Sequence, residues 1–104
     1  MNSTMVKLVE IHPMGAFSRT IDGPKENFTL RETYINPKHV VFMREDDEIW
    51  DRIRDTPIGQ RLDFGHEFTR LYISHGQNGM DVIVVGSIKE VQEKFNKSSQ
   101  LLKG

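Results

Sequence analysis

The stretch FTRLYISHGQNGMDVIVV, residues 68–85, decides the fold. Its first part, Phe68-Thr69-Arg70-Leu71-Tyr72-Ile73-Ser74, alternates in polarity and is rich in β-formers. His75-Gly76-Gln77-Asn78-Gly79 follows as a turn and holds an Asn-Gly pair, which tolerates the positive φ of a tight hairpin. Asp81-Val82-Ile83-Val84-Val85 then returns as the antiparallel partner. Its unbroken apolar character predicts burial on both faces, or one face against a second protomer.

Upstream, His39-Val40-Val41-Phe42-Met43 is also apolar on both pleat faces and predicts a central strand covered on both sides. Phe28 to Ile35 reads as a further strand, ended by an Asn36-Pro37 turn. Met5-Val6-Lys7-Leu8-Val9-Glu10-Ile11 opens the fold as a strand. His12-Pro13 is expected to end it, since proline lacks the ladder donor. A short strand near Ala16 to Ile21 and the Asp22-Gly23 pair predict a hairpin over residues 16–34.

Downstream, Ser87-Ile88-Lys89-Glu90 is a capping box. Ile88, Val91, Phe95 and Leu102 fall on one helical stripe, with Lys89, Glu93, Lys94 and Lys97 off it. A helix from about Ile88 to about Leu101 follows. The expected fold is thus a single α+β domain over residues 1–104, an antiparallel sheet of about five or six strands with one C-terminal helix packed on it.

Residues 46–66 interrupt the sheet pattern as an insertion. Glu45, Asp46, Asp47, Glu48, Asp51 and Asp55 supply six acids in its vicinity, against two arginines, Arg52 and Arg54. Ile49 and Ile53 stand four apart with Trp50 beside them. Asp46 or Asp47 is placed to cap a short helix that Pro57 would end, and Gly59 and Gly65 are expected to loosen the chain. Tryptophan and arginine are the residue types enriched at binding hot spots, and arginine grips carboxylate or phosphate with paired hydrogen bonds. Trp50, Arg52, Arg54, Arg61, Phe64 and His66 are therefore the candidate partner- or ligand-binding residues. The competing reading packs Trp50 and Ile53 under a loop while the arginines neutralise local acids.

Composition narrows the chemistry. The chain has 104 residues, 28% charged and 37% hydrophobic, with a net charge of −1 and no cysteine. Disulfides, thiolate nucleophiles and cysteine-based zinc sites are excluded. The longest apolar run falls far short of a membrane span of ~20 residues. Residues 1–15 hold no apolar signal-peptide centre, and a cytoplasmic location is expected. His66 and His75 flank one strand at roughly 30 Å by strand rise, too far apart to share a metal within one protomer. No HExxH spacing, Gly-x-Ser-x-Gly elbow or P-loop ending occurs. No enzyme activity, cofactor or metal is expected. Phe42, Tyr72, Phe68 and Tyr34 lack the basic neighbours of a base-stacking platform, so nucleic acid is not an expected partner.

The segments Ile35-Asn36-Pro37, His39 to Glu45, Leu71-Tyr72-Ile73-Ser74-His75-Gly76, and Val82 to Ser87 running into Ile88-Lys89-Glu90-Val91 together resemble the small FlbD-type proteins associated with bacterial flagella and swarming. The resemblance covers about half of the chain and implies a non-enzymatic protein with no catalytic or cofactor residues to carry over. The insertion and the extended hairpin turn depart from that pattern. Two functions are expected from the residues. One is an interaction module that binds another protein through the insertion. The other is a sequestering or sensing protein that holds a small anionic ligand, such as a nucleotide, between protomers. One helix cannot cover two doubly apolar strands on both sides, so a homo-oligomer is also expected.

Overall fold

A computed structural model describes residues 5–20, 23–62 and 65–103, without the side chains of residues 15–20, 23–26, 75 and 98–103. The α+β fold read from the sequence is present. Five strands form one antiparallel sheet: β1 (Val6–Thr20), β2 (Gly23–Ile35), β3 (Val40–Glu45), β4 (Phe68–His75) and β5 (Asn78–Val85). Their order across the sheet is β2-β1-β5-β4-β3. Helices α1 (Glu48–Ile53) and α2 (Pro57–Arg61) link β3 to β4, and α3 (Ile88–Lys103) closes the chain.

The hairpin that decides the fold forms in full, from Phe68↔Val85 to His75↔Asn78. Its turn is tighter than the sequence suggests. Gly76 sits at φ +63° and no described non-glycine residue has positive φ. The two turn residues are thus Gly76 and Gln77, with glycine first, the arrangement of a type II′ hairpin. Asn78 and Gly79 belong to β5, so the Asn-Gly pair is not the turn.

Each apolar face of β5 is covered within one protomer. Val82 and Val84 join Val6, Leu8, Ile35, Leu71 and the α3 residue Val91 in one core cluster, with Phe95 packed against it. Ile83 and Val85 face a second cluster of Ile11, Phe28, Phe68, Ile49, Ile53 and Ile58, the last three from α1 and α2. Each fully buried side chain of this size contributes roughly 1.5–3 kcal/mol of burial. The insertion is therefore two packed helices rather than a loop, and it supplies the second layer that one C-terminal helix cannot.

β3 does not meet its expectation. It lies at the sheet edge, not the centre, with Val41 63% and Phe42 42% exposed. Only Val40 and Met43 lean on the α3-side core. The premise that two strands need outside cover on both faces fails, since β5 is covered internally and β3 is a strand of one covered face.

The first strand also runs further than its proline suggests. β1 and β2 pair from Val6↔Ile35 to Thr20↔Gly23, with a register shift between Pro13 and Phe17. The pairing of β1 to β5 ends at Ile11. Beyond it β1 has a single strand neighbour, so the missing Pro13 donor breaks no second ladder. The hairpin thus spans both full strands rather than residues 16–34, and Asp22 lies outside the described residues.

The Asn36-Pro37 turn is a 3-10 turn, Pro37–His39, in which the Asn36 side chain accepts from the Lys38 N–H at 3.0 Å. The predicted capping box opens α3: the Glu90 N–H donates to Ser87 Oγ at 3.1 Å, and Ser87 Oγ donates to the Glu90 carboxylate at 3.3 Å. Val91 and Phe95 carry the predicted inward stripe; the Leu102 side chain lies outside the described residues.

Candidate functional site: the helical cover and its surroundings

The insertion folds because a few groups close its backbone. Asp46, rather than Asp47, caps α1: Asp46 Oδ1 accepts from the Ile49 N–H at 3.1 Å. Its other oxygen takes Arg70 from β4 through Nε at 2.9 Å and Nη2 at 2.8 Å. Arg70 also pairs with Asp81 on β5. Partial burial works against the Arg70 charge, but hydrogen bonds to Asp46 and Asp81 and their negative charge outweigh it and raise its pKa above the ordinary arginine value. A buried carboxylate thus ties the start of α1 to the sheet.

Pro57 does not end α1. It opens α2 as its first residue, where the missing N–H is unneeded. Thr56 joins the two helices: its hydroxyl donates to the Ile53 carbonyl at 2.6 Å and accepts from the Gly59 N–H at 3.2 Å. Gly59 is buried, and a Cβ there would lie 1.9 Å from the Ile53 carbonyl oxygen. It tightens the helix contact instead of loosening the chain.

The candidate residues of the insertion take separate places. Trp50 is half-buried and stacks on Phe68, ring centroids 6.2 Å apart at 21°. The Arg52 guanidinium lies 5.3 Å from the centre of the Phe28 ring. Arg54 pairs with Asp51 one turn earlier at 3.8 Å. Arg61 is exposed in the last turn of α2, and His66 is exposed before β4. Phe64 lies outside the described residues. Ile53 packs inward as the competing reading expected. Trp50 is shared between that core and the surface.

Two further features lie away from the insertion. On the edge strand, Phe42 stacks on Tyr72 at 4.2 Å and 26°, with Arg44 over the Phe42 ring at 5.1 Å. A shallow hollow of about 450 Å³ beside them is lined by Val41, Ile73, Met80 and the hairpin turn. On the other face, Glu10 is buried and accepts from Arg31 Nε at 3.0 Å, with His12 Nδ1 at 3.5 Å. It borders a cavity of about 320 Å³ with Ile35, His39, Ile73 and Val82. The signal for Glu10 was present: it follows Val6 and Leu8 on the inward parity of its strand. Arg31 balances its charge, so this cavity offers little net field to an ion. Neither hollow is lined by Arg52, Arg54 or Arg61.

Among the described residues no group of three or more His, Asp or Glu is placed to hold a metal, and no helix is long and apolar enough to cross a membrane. No protein-family model matches the chain, and no curated protein or solved structure does.

Proposed function

We propose that this protein is a non-catalytic interaction module that binds another protein through the outer surface of α1 and α2. The observation that carries this reading is the rigid seating of that surface. Ile49, Ile53 and Ile58 are buried against the sheet, so the helices are ordered before any partner arrives. Trp50 is partly accessible, and Arg52, Arg54 and Arg61 lie exposed on the same ordered base. Helices that are already ordered lose little backbone entropy on binding, and tryptophan and arginine are the residue types enriched at interface hot spots. The alternative, a small anionic ligand held between protomers by Arg52, Arg54, Arg61 or His66, has no observation of comparable weight behind it.

The test is affinity capture from cells of the source organism with three baits: the wild-type chain, Arg52→Ala/Arg61→Ala, and a control altered on α3, Lys89→Ala/Glu93→Ala. A protein held by the wild type and the control but lost by the arginine variant supports the reading. Equal retention by all three, or by none, refutes it.

A further inference from the structure

We propose that the cavity beside Glu10 binds a small, uncharged and largely apolar molecule whose polar end donates a hydrogen bond to the Glu10 carboxylate. The site lies within one chain and is independent of the α1–α2 reading. The cavity holds about 320 Å³, at the lower end of the range of small-molecule sites. Its walls come from five separate elements: Glu10 of β1, Arg31 and Ile35 of β2, His39 of the 3-10 turn, Ile73 of β4 and Val82 of β5. Ile35 and Val82 belong to the α3-side core, and Ile73 packs against it. The cavity therefore opens off a packed core, and paired strands hold most of its walls in place.

Glu10 sets the polar end. It stands opposite Arg31 on β2 and beside Val84 on β5, and its side chain is only 8% accessible. Burying a carboxylate costs free energy that its pairing with arginine does little more than offset, and an apolar side chain would pack there as well. Stability therefore gives little reason for an acid at this position. One oxygen, Oε1, accepts from Arg31 Nε at 3.0 Å. The other, Oε2, has His12 Nδ1 at 3.5 Å, longer than a normal hydrogen bond. Oε2 thus retains acceptor capacity, and the cavity is the space that Glu10 borders. Charge then selects the ligand class. Arg31 neutralises Glu10, so an ion would lose its hydration for little net attraction, and an anion would also face the carboxylate. A neutral O–H or N–H loses less water and gains a bond to a charged acceptor. The apolar remainder of the ligand would lie against Ile35, Ile73 and Val82.

Methyl NMR titration of the full chain with three probes tests the site. Indole carries an N–H donor. N-methylindole has the same body with that donor methylated, and indoleacetate keeps the donor and adds a negative charge. Indole should shift the methyl signals of Ile35, Ile73 and Val82 and leave those of Ile53 and Ile58, in the opposite core, in place. It should bind at least about tenfold more tightly than either of the other two, the factor expected of a hydrogen bond to a charged group. Glu10→Met/Arg31→Met removes both charges together and leaves no unpaired ion. In that variant, with circular dichroism confirming the fold, indole and N-methylindole should bind within about threefold of each other. Equal affinity of the wild type for indole and N-methylindole overturns the proposal, as does tighter binding of indoleacetate. Shifts confined to other methyls, or no shift into the millimolar range, overturn it too. The wild-type comparison decides by itself should the double variant fail to fold.

Discussion

Gly59 is where the cover tolerates least. A methyl group there would meet the Ile53 carbonyl oxygen at 1.9 Å and the Arg54 Cα at 2.6 Å, both main-chain atoms that cannot rotate away. Gly59→Ala should therefore cost about 3 kcal/mol or more by overpacking, against the gain that alanine ordinarily brings to a helix. Thermal unfolding would show it as a melting point lowered by roughly 15 °C. An unchanged melting point would mean that α2 does not approach α1 this closely. The sequence presents Gly59 only as a breaker, because its role is set by a carbonyl six residues earlier that comes near only after Thr56 has turned the chain. Asp46 is a similar case. Two adjacent acids looked equally able to cap α1, and the choice falls to Asp46 because Arg70, 24 residues away, holds its second oxygen.

At the scale of elements, the β4–β5 hairpin separates pattern from turn chemistry. The alternation that predicted two paired strands is correct, but the strongest turn signal, Asn78-Gly79, lies one pair inside the ladder. Gly76 takes the positive φ instead. Gly76→Ala should cost about 1–2 kcal/mol, the penalty for placing a Cβ in the left-handed region. Gly79→Ala should fall within about 0.5 kcal/mol of wild type, the range of ordinary surface changes, since its new methyl meets only the Ile73 carbonyl at an ordinary 3.5 Å. Urea unfolding of the two variants distinguishes the turn positions directly: a reversed order would place the turn at Asn78-Gly79. The error has a physical cause. Hairpin register is set by which side chains share a buried face, and a one-residue slip would turn Leu71, Val82 and Val84 out of the core.

For the whole molecule, the sheet carries a core on each face, one roofed by α3 and the other by α1 and α2. If the two cores act together, the insertion is part of the cooperative unit and not an appendage. Trp50 is the only tryptophan, so its fluorescence reports the α1–α2 layer while far-ultraviolet circular dichroism reports the helices and sheet together. The two signals should unfold at one midpoint in urea, as a two-state domain requires. An earlier fluorescence transition would show that the cover melts separately and would remove the rigid base on which the interaction reading rests.

What residue order determined by itself is local. It set the strand alternation, the Ser87 cap, the inward stripe of α3 and the antiparallel hairpin, because each depends on neighbours within a few positions. The candidate arginines and Trp50 were visible as residue types, though not their separate partners. What only the tertiary structure decided is which surface covers which. The apolar run at residues 82–85 lies between two layers, and the similar run at residues 40–43 lies at a rim. The two look alike in sequence because hydrophobicity records that a strand should meet other atoms, not whether those atoms come from the same chain. Sheet order, fixed by pairings between strands far apart in sequence, settles that difference.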